Sequence, residues 1–289
     1  MSEHFIKEIE IKNYKLFKDF KAEGFGRVNL IGGKNNVGKT AFMEACYIDS
    51  SKLEQKLVFR SIIISRYLSD ILDDLLKEVG INFINNFIEE KSKEFEKINI
   101  NSNLQEKVST LFKSSNKAQK KVYEDYYSFI IENELEDRLD KYLQDFDNSI
   151  EKFRIINGEP HCKKNGTFQN INEFGDGLVK FIFFLLVLLS EQNKIIFIDE
   201  IENGIHYTNL DKLWEIILTL SKEQNVQVFA TTHSKECIES YARVAKKLED
   251  KEISFIEMGI NKYNKPRAIV MDSERFFREL ETGNEVRGW

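Results

Sequence analysis

A glycine-rich segment near the N-terminus carries the residue types that bind phosphate. It spans Gly33 to Thr40 as GKNNVGKT, which matches the pattern GxxxxGK[ST] in full. An apolar stretch of strand character, Val28 to Ile31, precedes it, and helical periodicity begins near Lys39. A glycine loop between a strand and a helix is the setting in which this motif binds nucleotide phosphates. The sequence therefore predicts a nucleotide site, with a purely structural glycine turn as the alternative.

The positions of this loop have distinct expected roles. Backbone N–H groups freed by the glycines curl around the phosphates, and the positive end of the following helix faces the same anion. Lys39 is expected to reach the β- and γ-phosphates, and Thr40 to ligate Mg²⁺. ATP and Mg²⁺ are therefore the expected ligands. The residues predicted to contact the nucleotide are Gly33, Lys34, Asn35, Asn36, Val37, Gly38, Lys39, Thr40 and Ala41.

Two adjacent carboxylates follow an apolar strand in the second half of the chain. The strand is Ile195 to Ile198, and Asp199 and Glu200 come directly after it. A parallel sheet binds its ligands at this end of its strands. Asp199 is expected to hold Mg²⁺ through water, and Glu200 to polarise the attacking water as the catalytic base. The alternative is a solvated strand terminus.

A histidine occupies the corresponding position one strand later. The predicted strand Val226 to Ala230 is followed by Thr231, Thr232 and His233. His233 is predicted to contact the γ-phosphate or the attacking water, and it joins Glu200 and Lys39 as an expected catalytic residue. A surface histidine beside a helix N-cap is the alternative interpretation.

The elements that must position these residues change character along the chain. Residues 5–32 alternate apolar and polar side chains, which predicts strands feeding the glycine loop. Helical periodicity then extends from Lys39 to about residue 150, and strand-like segments between residues 153 and 169 suggest re-entry into the sheet. After Gly177, helices alternate with strands, which implies a parallel sheet with right-handed crossovers.

The predicted fold class is α/β with an insertion. We expect residues 1–50 and 151–289 to form the core and residues 51–150 to form a helical insert lobe.

Four motifs in chain order identify a resemblance. GKNNVGKT, FGDGLVKF, IIFIDEIENGIH and VFATTHS resemble the ABC-type ATPase superfamily, specifically its RecF-like and OLD-like (overcoming lysogenization defect) branch. The N-terminal IKEIEIKNYKLFKDF is similar to that branch too, and the resemblance covers about residues 1–50 and 150–270. It implies a P-loop NTPase of the ABC-type ATPase head, with a mixed sheet and an inserted helical lobe, that converts ATP and water to ADP and phosphate.

The resemblance also assigns roles to three further segments. It makes Gly175, Asp176 and Gly177 the signature loop, which closes over the nucleotide held by a second copy of the chain. Asp176 departs from the transporter pattern, because it introduces a carboxylate close to where phosphate docks. Residues 203–206 correspond to the D-loop, and Gln55 is the candidate for the Q-loop glutamine. From the residues alone, the signature segment would be a helix N-cap.

The bulk composition limits the partner classes. The net charge is −6 and the pI about 5.5, so no global basic field indicates nucleic acid. The longest apolar run, Phe181 to Leu189, is about half of the ~20 residues that a spanning helix needs, so no membrane partner is expected. Three cysteines without metal-site spacing fit a reducing cytoplasm. One local exception is a predicted basic helical face formed by Lys113, Lys117, Lys120 and Lys121, for which solvation and a phosphate-backbone contact are both open.

Three functions are compatible with these features. The first is an ATP-hydrolysing homodimer that sandwiches two nucleotides, and the resemblance implies a partner nuclease or toxin in anti-phage defence. The second is a nucleotide-gated binding module with little turnover. The third is DNA repair or chromosome maintenance, with DNA as a partner.

Overall fold

The computed structural model describes residues 5–51, 98–104, 110–113, 120–190 and 194–282. The strands in these ranges are Glu8–Tyr14 (β1), Phe17–Glu23 (β2), Val28–Gly32 (β3), Asn99–Ser102 (β4), Thr110–Lys113 (β5), Lys152–Ile156 (β6), Glu159–Lys164 (β7), Thr167–Asn170 (β8), Ile195–Ile198 (β9), Gln227–Thr231 (β10), Ile253–Ile260 (β11) and Pro266–Asp272 (β12). The helices are Lys39–Ser50 (α1), Lys120–Glu132 (α2), Glu136–Phe146 (α3), Asp176–Ser190 (α4), Leu210–Glu223 (α5), Lys235–Lys247 (α6) and Ser273–Glu281 (α7).

A six-stranded mixed sheet forms the centre, in the order β12-β11-β3-β10-β9-β5. All neighbouring strands are parallel except β12, which runs antiparallel to β11. Every residue of β3, β9 and β10 is buried, as expected for parallel strands covered on both faces. Ala230 pairs with both Leu30 and Ile198, so these three strands end at one edge of the sheet. The residues that follow these three strands therefore lie close together at that edge.

An antiparallel sheet in the order β2-β1-β4 lies beside the centre. The buried side chain of Gln227 connects the two: its Oε1 accepts from the Ile6 N–H at 2.8 Å, and its Nε2 donates to the carbonyls of Ile6 and Gly26, each at 2.8 Å. Because this amide satisfies three buried backbone groups at once, it fixes how the first strands approach β3 and β10.

A buried cation anchors the start of β3. Arg27 is 2% exposed, forms an ion pair with Asp250, and donates to the Leu218 carbonyl at 3.1 Å and to the Ser221 hydroxyl. This network ties β3 to the end of α5 and to the turn after α6. Removal of one partner of such a pair costs about 3–5 kcal/mol, because the other charge stays buried.

The range 51–150 differs from the expected all-helical insert. Two strands within it join other parts of the chain: β4 pairs with β1, and β5 pairs with β9 at the edge of the central sheet. Lys113 belongs to β5 and Lys120 begins α2, so these lysines do not share the one helix that was predicted, and Lys117 lies outside the described residues. Local helical periodicity cannot exclude short strands whose partners are distant in sequence.

The strands between residues 152 and 170 also differ from the prediction. They form a separate three-stranded meander, β6-β7-β8, and do not enter the central sheet. Helices α2 and α3 pack between this meander and α4, where Phe146 stacks on Phe181 at 3.7 Å between ring centroids and Tyr127 meets Phe153 edge-on at 5.4 Å. The tyrosines of α2 therefore contribute to the core. In the described ranges, no helix has both the length and the apolar character to cross a bilayer.

Candidate functional site

The phosphate loop needs its glycines for both conformation and space. Gly33 has φ +142°, and a Cβ there would lie 2.4 Å from the Met258 carbonyl oxygen. Gly38 has φ +100°, and its Cβ would lie 2.9 Å from a Leu16 methyl group. These close approaches hold the loop between β11 and the turn after β1. The N–H groups at the start of α1 are thereby presented to an anion.

The Lys39 ammonium bonds to carbonyl groups of its own loop. Its Nζ donates to the carbonyls of Gly33 at 2.8 Å and Lys34 at 2.9 Å. Burial lowers the pKa of this ammonium, and the carboxylates of Glu202, Asp199 and Glu200 oppose that shift. A phosphate that enters the loop would replace these two neutral acceptors with a charged one.

Oxygen donors suited to a small divalent cation meet at the carboxyl end of β9. The Thr40 hydroxyl donates to Asp199 Oδ1 at 3.1 Å, and the Thr231 hydroxyl donates to the same oxygen at 2.6 Å. Thr40 and Asp199 come from elements 159 positions apart in the sequence. A hydroxyl and a carboxylate beside a phosphate loop fit Mg²⁺, which prefers hard oxygen ligands and keeps several waters.

Glu200 is exposed to the cleft and has an unusual backbone. Its φ is +49°, in the left-handed region that costs about 1–2 kcal/mol for a residue other than glycine. Its N–H donates to the Thr231 hydroxyl at 2.8 Å, and its carbonyl accepts from the Lys180 ammonium. These two bonds hold the peptide groups of Glu200 in the turn that follows β9.

His233 is held from one side by Glu202. Glu202 Oε1 accepts the backbone N–H groups of His233 at 3.0 Å and Ser234 at 3.2 Å, and it lies 3.2 Å from His233 Nδ1. The Glu202 side chain is only 10% exposed, while that of His233 is 53% exposed. With Nδ1 directed to the carboxylate, Nε2 is the ring nitrogen left for the cleft.

A cleft of about 720 Å³ collects most of the predicted site. Loop residues, both members of the acidic pair and the histidine share it, although no local sequence feature links them. Its lining residues are Lys15, Asn35, Asn36, Gly38, Lys39, Thr40, Ala41, Asp199, Glu200, Thr231, Thr232 and His233. Of the remaining predicted loop residues, Gly33 and Lys34 bond to Lys39 and Val37 packs in the core beneath.

The signature segment, Gly175 to Gly177, is absent from the lining of that cleft. Gly175 has no atom within 4 Å of an added Cβ, so it faces open space. Gly177, by contrast, lies against the predicted D-loop, and its Cβ would be 2.2 Å from the Gly204 carbonyl oxygen. Gly204 itself has φ +77°. The chain thus joins its signature and D-loop segments to each other, away from its own nucleotide cleft.

Sequence reasoning missed several polar residues around the site. Lys15 lines the cleft and pairs with the buried Glu44, Thr231 bonds to Asp199, Glu202 holds His233, and Lys180 bonds to the turn after β9. Thr231 and Glu202 each stand two positions from a predicted catalytic residue, so their place at the strand ends could have found them. Lys15 and Lys180 are brought in by tertiary packing alone. Gln55 lies outside the described residues.

Comparisons with known proteins agree with this fold. A family model described as "AAA domain, putative AbiEii toxin, Type IV TA system" matches residues 47–239. An "ATP/GTP phosphatase" from Helicobacter pylori is 25% identical, over 81% of this chain and 86% of its own length. The SMC head in a complex with the C-winged helix domain of ScpA superposes with a TM-score of 0.59 at 11% identity, covering 95% of this chain and 99% of that one. The SMC head domain from Thermotoga maritima gives 0.50 at 13% identity, covering 92% and 98%.

The fold is that of an ABC-type P-loop ATPase head, as the sequence predicted. The family model covers more than half of the chain, so the chain belongs to the family described as AAA domain, putative AbiEii toxin, Type IV TA system. ATP binding and hydrolysis follow as its chemistry.

Proposed function

We propose that the chain binds ATP with Mg²⁺ in the cleft above the phosphate loop and that Glu200 is the general base for its hydrolysis. The observation that carries this proposal is the convergence of Thr40, Asp199 and Glu200 at one strand end, beside the N-terminus of α1. Thr40 and Asp199 would hold the metal ion, which supplies charge neutralisation at the phosphates. Lys39 binds the phosphates once it leaves the loop carbonyls.

The chemical step needs a water held in line with the γ-phosphate. The Glu200 carboxylate accepts its proton, because this side chain is exposed to the cleft while Asp199 is occupied by two hydroxyl donors. His233 lines the same cleft, and in this proposal its Nε2 contacts the γ-phosphate or the water. Base catalysis of this kind contributes about 10²–10⁴-fold to turnover.

A second copy of the chain completes the site in this proposal. Gly175 faces open space, and the N-terminus of α4 lies outside the chain's own cleft, so its N–H groups are presented to another molecule. In a two-fold arrangement each signature segment would meet the nucleotide of the other copy. The SMC heads that superpose on this chain share its fold, and a shared head fold is consistent with this arrangement.

The biological setting is proposed from the family. Its description includes a putative toxin and a type IV toxin–antitoxin system, which supports an OLD-like ATPase acting with a nuclease or toxin partner in anti-phage defence. The efficiency of phage plaquing tests this directly, on cells that express the chain with its flanking genes. Equal plaquing on cells with the wild-type chain and with Glu200→Gln would contradict a role for hydrolysis in defence.

Glu200→Gln is the decisive variant for the chemistry. We expect turnover to fall by roughly 100-fold or more while ATP affinity is retained, because the amide cannot accept the proton. Glu274→Gln, an exposed carboxylate in the first turn of α7, is the matched control and should leave turnover unchanged. Unchanged turnover in Glu200→Gln would refute the assignment of the base.

The same variant tests the assembly and separates the alternatives. Size-exclusion chromatography with light scattering should show the mass of Glu200→Gln double when ATP and Mg²⁺ are added. A mass that stays constant with nucleotide would contradict the sandwich. Wild-type chain that binds ATP but releases no phosphate would favour the nucleotide-gated module.

A further inference from the structure

Lys180 places a charged group beneath the turn that carries Glu200. It belongs to α4, just after the signature segment, and its Nζ donates to the carbonyls of Glu200 and, at 3.4 Å, of Asn203. Its Nζ also lies over the Phe184 ring, 5.8 Å from the ring centroid. Among the described residues no carboxylate oxygen lies within ion-pair distance of this ammonium. Its charge is directed to two backbone carbonyls.

These contacts matter because Glu200 has an unfavourable backbone conformation. At φ +49° the residue needs bonds that define both of its peptide groups. The Thr231 hydroxyl accepts the Glu200 N–H at 2.8 Å, and the Lys180 ammonium donates to the Glu200 carbonyl. Of these two bonds only the second is charge-assisted, and such bonds are about twice as strong as neutral ones.

The charge on Lys180 is sensitive to pH in the working range. Partial burial lowers the pKa of this ammonium to about 8, against the raising effect of Glu202, Glu200, Asp199 and the Cys237 thiol. The ammonium is therefore charged below about pH 8 and becomes a neutral amine as the pH rises through that value. A neutral amine retains the geometry but gives a weaker bond to the carbonyl.

We propose that Lys180 is a positioning residue for Glu200: its ammonium fixes the turn after β9 so that the Glu200 carboxylate is directed at the water. This inference rests on the proposed role of Glu200 as the base. It links the signature helix to the chain's own catalytic turn through one side chain, and it requires that side chain to be charged.

Substitution of Lys180 by methionine, and then by arginine, separates the effect of its charge from the effect of its side-chain shape. Lys180→Met retains the stem and loses the ammonium, so turnover at saturating ATP should fall about 10- to 100-fold, since misplacement by about 1 Å costs up to 10²-fold. ATP affinity should stay unchanged, because Lys180 does not line the cleft. Lys212→Met is the matched control: Lys212 donates to the Phe146 carbonyl at 2.9 Å and also lies outside that lining, so its loss should leave turnover intact.

The pH profile supplies a readout that a merely structural role would not move. Wild-type turnover should decline as the pH rises through about 8, and Lys180→Arg should lose that decline, because arginine stays charged at higher pH. Lys39 also has a lowered pKa, so a decline that persists unchanged in Lys180→Arg belongs to another group and overturns the proposal.

The outcomes distinguish this inference from the proposed function. Full turnover in Glu200→Gln would refute the base and, with it, the positioning role. An inactive Glu200→Gln together with wild-type turnover in Lys180→Met would refute Lys180 alone. If Lys180→Met lowers the unfolding midpoint, the profile of Lys180→Arg still decides, since that variant retains the charge and the stem.

Discussion

The phosphate loop and the signature segment are both glycine-rich turns at the start of a helix, yet their surroundings are opposite. Gly33 and Gly38 are enclosed by Met258 and Leu16 of the same chain, while Gly175 has open space around it. The first turn of α1 contains no acidic residue, whereas that of α4 begins with Asp176. The N-terminus of α1 can therefore bind an anion, whereas the N-terminus of α4 already carries a carboxylate.

This difference teaches that the glycine pattern alone does not decide where a phosphate binds. At the phosphate loop, Met258 of β11 and Leu16 of the turn after β1 lie close against the two glycines. At the signature segment, Gly177 packs closely against Gly204, while Gly175 faces open space. The chain therefore encloses its phosphate loop, whereas in the proposed dimer the signature segment is the half of the contact that meets the other copy.

The largest effect is expected from the phosphate loop. Lys39→Met should weaken ATP binding roughly 30-fold or more, the range for truncating a charged partner in a desolvated contact, and should abolish turnover. Gly175→Trp should bind ATP like the wild type, because residue 175 is outside the cleft. Fluorescent-nucleotide titration measures both. Equal loss in the two variants would remove the contrast between the regions.

Mixing the two variants tests whether the second region is half of a contact. Each variant alone should turn over ATP poorly, since one lacks the phosphate lysine and the other has a blocked signature surface. A mixture contains pairs in which an intact phosphate loop faces an intact signature segment, so part of the turnover should return. If phosphate release in the mixture equals the mean of the separate samples, the site is complete within one chain.

Stability should distinguish the two glycines of the signature segment. Gly177→Ala forces a Cβ to 2.2 Å from the Gly204 carbonyl and should destabilise the chain by about 1–3 kcal/mol, as overpacking does. Gly175→Ala meets no atom within 4 Å and should stay within about 0.5 kcal/mol of wild type. Urea denaturation followed by circular dichroism measures the difference, and similar midpoints would show that the D-loop turn yields to α4.

The smallest effect concerns the carboxylate of Asp176. Asp176→Asn removes like-charge repulsion between the signature segment and an incoming phosphate, so ATP-dependent self-association of the Glu200→Gln background should strengthen a few-fold. The same change removes a favourable charge from the first turn of α4, which costs about 0.3–1 kcal/mol of stability. Sedimentation velocity with ATP measures the association. Weaker association would mean that Asp176 contacts a cation or donor across the interface.

The sequence predicted the parts of the site that follow strands. The loop from Gly33 to Thr40, the pair Asp199 and Glu200, and His233 each begin within three residues of the end of an apolar run, and parallel register brings the ends of such runs together. The order of strands and helices after residue 194 was also predictable, because hydrophobic periodicity is strong there. Where a motif directly adjoins the strand or helix that positions it, the local sequence pattern is enough to predict both.

Other features depend on contacts that local patterns do not encode. Strands β4 and β5 pair with β1 and β9, which lie far away in the chain, so the helical periodicity around them hid their role. The meander β6-β7-β8 has the apolar–polar alternation of an ordinary exposed sheet. Its local sequence therefore does not indicate that it stays separate from the central sheet. In the sequence Lys180 has no feature that distinguishes it from other helix lysines, and only the tertiary structure shows its contact with the turn after β9.

The left-handed backbone of Glu200 restricts which replacements the position tolerates. Glutamine, asparagine or glycine can remove the carboxylate with little added cost, since glutamine keeps the same stem and the other two adopt positive φ readily. Valine or isoleucine would change the chemistry and the turn together, because a β-branched residue is a severe outlier there. A substrate-trapping reagent for this ATPase is therefore best made with glutamine, and natural variation at residue 200 should avoid β-branched side chains even where hydrolysis has been lost.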